Sequence, residues 1–281
     1  MIDVSPRSNR SHADGATIDY YNRNAADFFS STVSVDMTPL HERFLASLPL
    51  DAAILDAGCG SGRDAHAFAN RGFNVTAFDA SPELAKLASA HCGFEVAVRQ
   101  FSDVDEVNVY DGVWCCASLL HVPRSELPSQ IKRLWQTLRP NGMFYVSFKL
   151  GESERVQNGR SFTDIDEATL KQLLGSLPGI GDIEIWITDD QRLERKEQWV
   201  NALAARAPIP NLKLITGGSD PFLPHLSHAI AQAQEIEIAV AFVKVTGMRL
   251  LMPDILGALE RTHNGEQVSC QVRILARAYS I

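Results

Sequence analysis

Along most of this chain, short apolar runs alternate with stretches whose apolar residues recur every three or four positions. ILDAG from Ile54, FNVTAFD from Phe73, EVAVRQ from Glu95, YDGVWCCA from Tyr110 and MFYVSFK from Met143 are short enough for buried strands. The segments between them have helical spacing. One opens with Ser81 and Pro82, a serine suited to cap free N–H groups and a proline suited to the first helical position. Such alternation predicts an α/β fold, a mostly parallel sheet with helices on both faces. Ile165 to Leu177 reads as a further helix, and Ile183 to Thr188 and Gln198 to Leu203 as the last two strands. Ahead of the first strand, TIDYYNRNAADFFSSTVSVDM reads as one helix with Tyr20, Tyr21, Ala25, Phe28 and Phe29 on one face, and LHERFLASLP as a second.

The pattern also divides the chain. Residues 1–16 are polar and read as a flexible tail, and residues 17–207 hold the alternating pattern. APIPN, from Ala207, has two prolines and reads as a linker. Residues 208–281 then begin a second β-α-β-α-β series. It holds an amphipathic helix PFLPHLSHAIAQAQ, a strand EIEIAVAFV, a helix GMRLLMPDILGALERTHNG and a strand VSCQVRILAR.

Composition narrows the partners. With 281 residues and 45% hydrophobic content the chain has ample material for a core. Its formal charge of −8 argues against a broad grip on nucleic acid, which needs a basic face. The five cysteines lack paired metal-ligand spacing, which fits buried thiols in a reducing compartment. No window reaches membrane-spanning length, and residues 1–15 lack an apolar signal core, so a cytoplasmic protein without a membrane partner is expected.

The densest chemistry lies at DAGCGSG, where Gly58, Gly60 and Gly62 lead from the first strand into a helix from about Arg63. Glycine there admits positive φ and lets a ligand approach the backbone. Asp79 follows Asp56 by 23 residues and closes the next strand, where a carboxylate can accept from a ribose diol. Dinucleotide sites favour G-x-G-x-x-G and a pyrophosphate at the helix start. Here an acid, Asp56, stands two residues before the first glycine, where it would repel a pyrophosphate but welcome an ammonium group.

At this point the chain resembles the class I S-adenosylmethionine-dependent methyltransferases, whose first motif is D/E-x-G-x-G-x-G. The resemblance continues through YDGVWCCASLLHVP, from Tyr110, and LRPNGMFYVSFK, from Leu138, where Asn141 replaces the first glycine of an L-x-P-G-G turn. It is nearest to the tellurite-resistance-like subset and covers about Thr17 to Arg206. It implies a Rossmann-like methyltransferase fold whose last two strands form a hairpin that makes the sheet mixed. The cofactor implied is S-adenosyl-L-methionine, held by Asp56, Gly58, Cys59, Gly60, Arg63, Asp79, Ala80, Ser81, Phe101 and Ser102. Phe101 would stack on adenine, and Ser102 or Asp103 would reach its amine; Asp103 reads equally as a helix-start acid.

His121 follows the fourth strand at the ligand end of the sheet. It reads either as a base or polar contact beside the methyl group, or as a helix cap or cavity wall. On the substrate side the resemblance places Tyr20 and Tyr21 as a lid, with packing on the sheet as the alternative. It places Lys149 and Arg160 near an anionic or planar acceptor, with a surface loop charge as the alternative for Arg160. Trp186, Asp189 and Arg192 read as a surface cluster with a salt bridge. Cys115 and Cys116 lack a visible cation to activate them.

The C-terminal series resembles the opening half of a phospholipase D-like domain. No histidine is followed by lysine two positions on, so the H-x-K-x(4)-D signature is missing and an inactive fragment is expected. Its half-covered sheet points to self-association as a homodimer. Two kinds of function remain: a methyltransferase acting on a small-molecule acceptor, or an inert cofactor-binding or scaffold module whose C-terminal lobe docks a partner. The glycine spacing and Asp56 disfavour a nicotinamide-dependent oxidoreductase.

Overall fold

Among the described residues up to 208 there are nine strands: β1 (Ala53–Ala57), β2 (Asn74–Asp79), β3 (Ala97–Val98), β4 (Tyr110–Cys115), β5 (Leu138–Lys149), β6 (Glu154–Gln157), β7 (Arg160–Thr163), β8 (Ile180–Asp189) and β9 (Gln198–Arg206). Seven of them make one sheet in the order β3-β2-β1-β4-β5-β9-β8. The first five pair in parallel, while β9 lies antiparallel between β5 and β8. This is the mixed α/β sheet expected from the sequence. The strand order reverses between β1 and β4, and such switch points open a crevice at the carboxyl ends of the strands. The computed structural model describes residues 12–192, 195–208, 235–240, 262–263, 266–267 and 271–276.

Alternation along the strands builds two cores. Ile54 joins Phe44, Phe68, Trp114 and Tyr145 on one face, and Leu55 joins Val113, Phe144 and Val146 on the other. Trp114 and Tyr145 stack with centroids 3.8 Å apart. Burying such rings contributes about 1.5–3 kcal/mol each, which holds β4 and β5 rigid beneath the crevice.

Among the described residues the α-helices are α1 (His12–Arg23), α2 (Ala25–Thr32), α3 (Thr38–Leu45), α4 (Arg63–Asn70), α5 (Pro82–Cys92), α6 (Leu127–Thr137) and α7 (Glu167–Gly175). Ser81 caps α5 as expected, accepting from the Leu84 amide at 3.2 Å. Asn141 adopts φ 66°, the left-handed turn for which it replaces glycine.

Three expectations differ. The stretch from Thr17 is two helices, and the first starts earlier, at His12. The break falls at Asn24, whose amide donates to the Tyr20 carbonyl at 2.8 Å and competes with the helical backbone. EVAVRQ contributes only Ala97–Val98 to the sheet. Arg160, for which a surface loop charge is the alternative reading, lies instead in a hairpin, β6–β7, turned by Asn158 and Gly159 at φ 52° and 78°. Asn-Gly is the signature of that mirror-image turn, and both residues tolerate positive φ.

The chain divides into two compact units, Met1–Ile209 and Pro210–Ile281. In the second, β10 (Glu235–Val240) pairs in parallel with β13 (Gln271–Ala276), and β11 (Thr262–His263) pairs antiparallel with β12 (Glu266–Gln267). Thr262 and His263, read from the sequence as the end of a helix, are therefore extended. The remainder of that helix and the helix from Pro221 lie outside the described residues. Among the described residues no helix is long and apolar enough to cross a membrane, and no cluster of three or more His, Cys, Asp or Glu could hold a metal ion.

Candidate functional site

The turn after β1 is built from backbone conformations that side chains resist. Gly58 has φ 76°, and a Cβ there would sit 2.6 Å from the Ser118 Cβ. Gly60 has φ 56°, with the Phe28 ring 3.0 Å from its would-be Cβ. The Gly58 and Cys59 amides both donate to the Phe78 carbonyl at 2.9 Å, tying the turn to the end of β2. Asp79 completes the tie: its Oδ2 accepts from the Gly60 amide and its Oδ1 from the Ser81 amide, both at 2.8 Å. Each oxygen retains a second lone pair for a ligand. Burial pushes the Asp79 carboxyl above the ordinary range, against the pull of these amides.

Two cavities open over this turn. The smaller, about 180 Å³, has Asp79, Ala80, Ser81, Phe101 and Ser102 in its wall. Phe101 packs edge-on against Phe78 with centroids 5.8 Å apart. Asp103 turns back to accept from the Gln100 amide at 2.9 Å, so of its two readings the helix-start acid is the one observed. The larger cavity, about 420 Å³, has Asp56, Cys59, Arg63, Lys149 and Arg160 in its wall. Gly58, Gly60, Tyr21 and His121 border both. Tyr20 borders neither; its ring lies beneath the Arg160 guanidinium, 4.4 Å away.

Asp56 is 2% exposed, and its Oδ2 has no hydrogen-bond partner. Burial first, and the nearby Asp64 second, push its carboxyl well above the usual range. The neighbouring Asp64 shows the opposite solution. It accepts from His41 Nε2 at 2.8 Å, Trp114 Nε1 at 2.9 Å, and Arg63 Nε and a terminal nitrogen at 2.8 and 2.7 Å. These partners outweigh its burial and hold it far below the carboxylate range. A buried carboxyl with one oxygen unpartnered thus stands beside an over-satisfied one, and it lines the larger cavity.

His121 lies on a one-turn 3-10 helix, Leu119–His121, after β4. Its Nδ1 faces the Ser161 carbonyl at 2.6 Å, and since a carbonyl only accepts, this nitrogen carries the proton. Its Nε2 is then an acceptor and takes the Tyr21 hydroxyl at 2.8 Å. Burial lowers the imidazole to about 4, leaving it neutral at physiological pH with its lone pair engaged. Both ring nitrogens are thus engaged within the protein. Ala117, just ahead, has φ 53° and is held by the Ser147 hydroxyl at 2.9 Å. A non-glycine residue in that conformation costs of order 1–3 kcal/mol and is typical of sites under functional constraint; no sequence signal announces it.

The remaining expectations resolve by geometry. Burial raises Cys115 and Cys116 to about 12, so neither is a thiolate at neutral pH. Arg192 pairs with Asp190 at 2.6 Å rather than with Asp189. Trp186 lies within β8, with the Arg43 guanidinium 3.9 Å from its ring.

A seven-stranded sheet of this order, with a glycine turn after β1 and an acid closing β2, is the class I methyltransferase fold. Residues 54–142 match the family described as a methyltransferase domain. Over 106 residues the chain is 35% identical to the ubiquinone biosynthesis O-methyltransferase of Xanthomonas axonopodis pv. citri, covering 35% of this chain and 44% of that protein. Over 133 residues it is 31% identical to the putative methyltransferase YqeM of Bacillus subtilis, covering 43% and 53%. The chain thus spans about half the length of the curated relatives it matches. Among solved structures it resembles the Burkholderia thailandensis 1,6-didemethyltoxoflavin-N1-methyltransferase with its substrate and S-adenosylhomocysteine (TM-score 0.60, 23% identity, 73% of this chain and 93% of that one). A DhpI–S-adenosylhomocysteine complex is also similar (TM-score 0.56, 20% identity, 71% and 100%).

Proposed function

We propose that this chain is an S-adenosyl-L-methionine-dependent methyltransferase acting on a small-molecule acceptor. One observation carries the reading: the orphaned, buried Asp56 Oδ2 beside a glycine turn whose faces a side chain would fill. That pairing suits a ligand with an ammonium group lying against the backbone. Asp56 would hold the ammonium, Arg63 the carboxylate, Asp79 the ribose hydroxyls, and Phe101 with Ser102 the adenine. When bound, the cofactor supplies an electrophilic methyl group on a sulfonium.

The protein's own contribution is alignment and exclusion of water. Helix α1 closes over the crevice and is fastened by Thr17 Oγ1, which accepts from the Ser161 amide at 3.0 Å, and by Asn22, which accepts from the Ser81 hydroxyl at 2.6 Å. Tyr21 and His121 would border the methyl group, and the larger cavity would seat the acceptor. His121, neutral and with its Nε2 lone pair engaged by Tyr21, would not remove a proton at neutral pH, so the acceptor atom would arrive with a usable lone pair. Residues 208–281 would take no part in the transfer.

Calorimetry with S-adenosylhomocysteine and with NAD tests the cofactor, and an acceptor panel with methyl-labelled cofactor tests turnover. We expect S-adenosylhomocysteine to bind at one site and NAD not to bind. Preferential binding of NAD would overturn the reading, and binding without turnover on any acceptor would favour the inert module.

A further inference from the structure

Three cations gather around the ring of Phe162, which lines the larger cavity together with Lys149 and Arg160. Lys149 Nζ lies 5.0 Å from its centroid, the Arg155 guanidinium 5.3 Å and that of Arg160 5.1 Å. Two already have counter-ions: Arg155 pairs with Asp164, and Lys149 with Glu197 at 3.3 Å. Two further pocket arginines lie near the β8–β9 turn: Arg192 is held by both oxygens of Asp190, and Arg195 stands near enough to Glu197 to lower its pKa. Arg160 differs. Among the described residues no carboxylate lies within ion-pair distance of it, and its Nε is buried without a hydrogen-bond partner.

What surrounds Arg160 instead is aromatic: Tyr20 at 4.4 Å, Tyr21 at 5.9 Å and Phe162 at 5.1 Å. Ring faces attract a guanidinium through their quadrupoles but carry no net charge; the Tyr21 hydroxyl accepts one Arg160 hydrogen bond, and the Nε–H is left without an acceptor. A rigid, charged, donor-rich fork in a low-dielectric aromatic frame is built for a planar or tetrahedral oxyanion, which it can bind through two parallel hydrogen bonds. The location is specific as well. Arg160 opens β7 on the hairpin next to Ser161, whose carbonyl fixes His121. A ligand on Arg160 therefore sits beside the Tyr21–His121 pair.

We propose that the methyl acceptor carries an oxyanion, a carboxylate or a phosphate-type group, and that Arg160 is its principal binding residue, with Lys149 the nearest second cation. This rests on the methyltransferase reading of the same cavity. The anion orients the acceptor so that a neighbouring nucleophilic atom faces the methyl group; Arg160 itself exchanges no proton.

The test measures binding of three probes to the protein saturated with S-adenosylhomocysteine: benzoate, phenyl phosphate and benzamide, which shares the ring but lacks the charge. Benzoate or phenyl phosphate should bind at least about tenfold more tightly than benzamide, a difference of about 1.4 kcal/mol, and whichever binds better identifies the kind of oxyanion. Arg160→Gln should abolish that preference, and Arg160→Lys should retain part of it. Unchanged affinity for S-adenosylhomocysteine in both variants shows that they fold. Equal binding of all three probes, failure of every probe to bind, or an undiminished preference in Arg160→Gln would overturn the proposal while leaving the methyltransferase reading intact. Failure of the unmodified protein to bind S-adenosylhomocysteine would overturn that reading instead.

Discussion

The Tyr21 hydroxyl donates to His121 Nε2 at 2.8 Å, joining the helix that covers the crevice to the end of β4. The two side chains are 100 residues apart in sequence, and their rings meet edge-on with centroids 5.4 Å apart. The Ser161 carbonyl fixes the tautomer that makes this bond possible, so one hydrogen bond reports on three elements at once.

Removing either side chain of this pair should therefore produce the same defect. Tyr21→Phe and His121→Ala are each expected to lower kcat about tenfold, the worth of one buried hydrogen bond. The double variant should be little worse than either, because both single changes break one interaction. A double-mutant cycle measured on kcat checks this. The imidazole's pKa of about 4 adds a pH signature: the kcat profile between pH 6 and 8 should show no ascending limb that His121 replacement removes.

The same depressed value bears on stability. His121 ordinarily titrates near 6.5 and here near 4, so between those values the unfolded chain binds more protons than the folded one. Stability should fall as pH drops from about 6.5 towards 4, by roughly 3 kcal/mol in all from this group. His121→Gln should flatten that part of the curve in urea titrations at stepped pH.

Asp56 is expected to trade stability for binding. Its Oδ2 is buried without a partner, and its pKa is raised by burial and by Asp64. Asp56→Asn removes a buried charge and should raise the melting temperature of the cofactor-free protein. The same change should weaken S-adenosylhomocysteine at least about tenfold, the loss of a charge-assisted hydrogen bond. Differential scanning calorimetry and titration calorimetry on one preparation read both effects; a lower melting temperature would show that Asp56 has a structural partner.

Asp79→Ala should weaken the same ligand by at least about tenfold through two charge-assisted hydrogen bonds to ribose. It should also lower stability, since the carboxylate ties the Gly60 and Ser81 amides together. Unchanged calorimetric affinity in that variant would count against the site.

For Asp64 the expectation is purely structural. Replacement by Leu strands His41, Trp114 and Arg63 in the core, and breaking one side of a buried ionic network costs about 3–5 kcal/mol. Its depressed pKa means that the stability it contributes is present above the ordinary aspartate value near 3.8 and lost as pH falls through its still lower folded value. Urea midpoints of the variant at neutral pH measure the loss.

The local features of this protein are written in short stretches of sequence. Gly58 and Gly60 declare a turn, Ser81-Pro82 a helix start, Asn141 a left-handed residue, and the alternation of apolar runs a mostly parallel sheet, because each depends only on backbone sterics and neighbours in the chain. Asn158–Gly159 announces the β6–β7 hairpin in the same way, although the turn reads more readily as a loop without its strands. Asp56 and Asp79 are legible as a pair because one strand–helix–strand unit sets their spacing.

Tertiary packing alone decides which side chains share an environment. Asp56 and Asp64 are both buried aspartates of one segment, yet His41, Trp114 and Arg63 converge on the second and none on the first. Tyr21 meets His121, and Arg160 settles among Tyr20, Tyr21 and Phe162, only because α1 and the hairpin fold over the same end of the sheet. Burial, partner count and pKa are properties of such convergence. Residues far apart in the chain create them, and no local pattern encodes the distance between those residues in space.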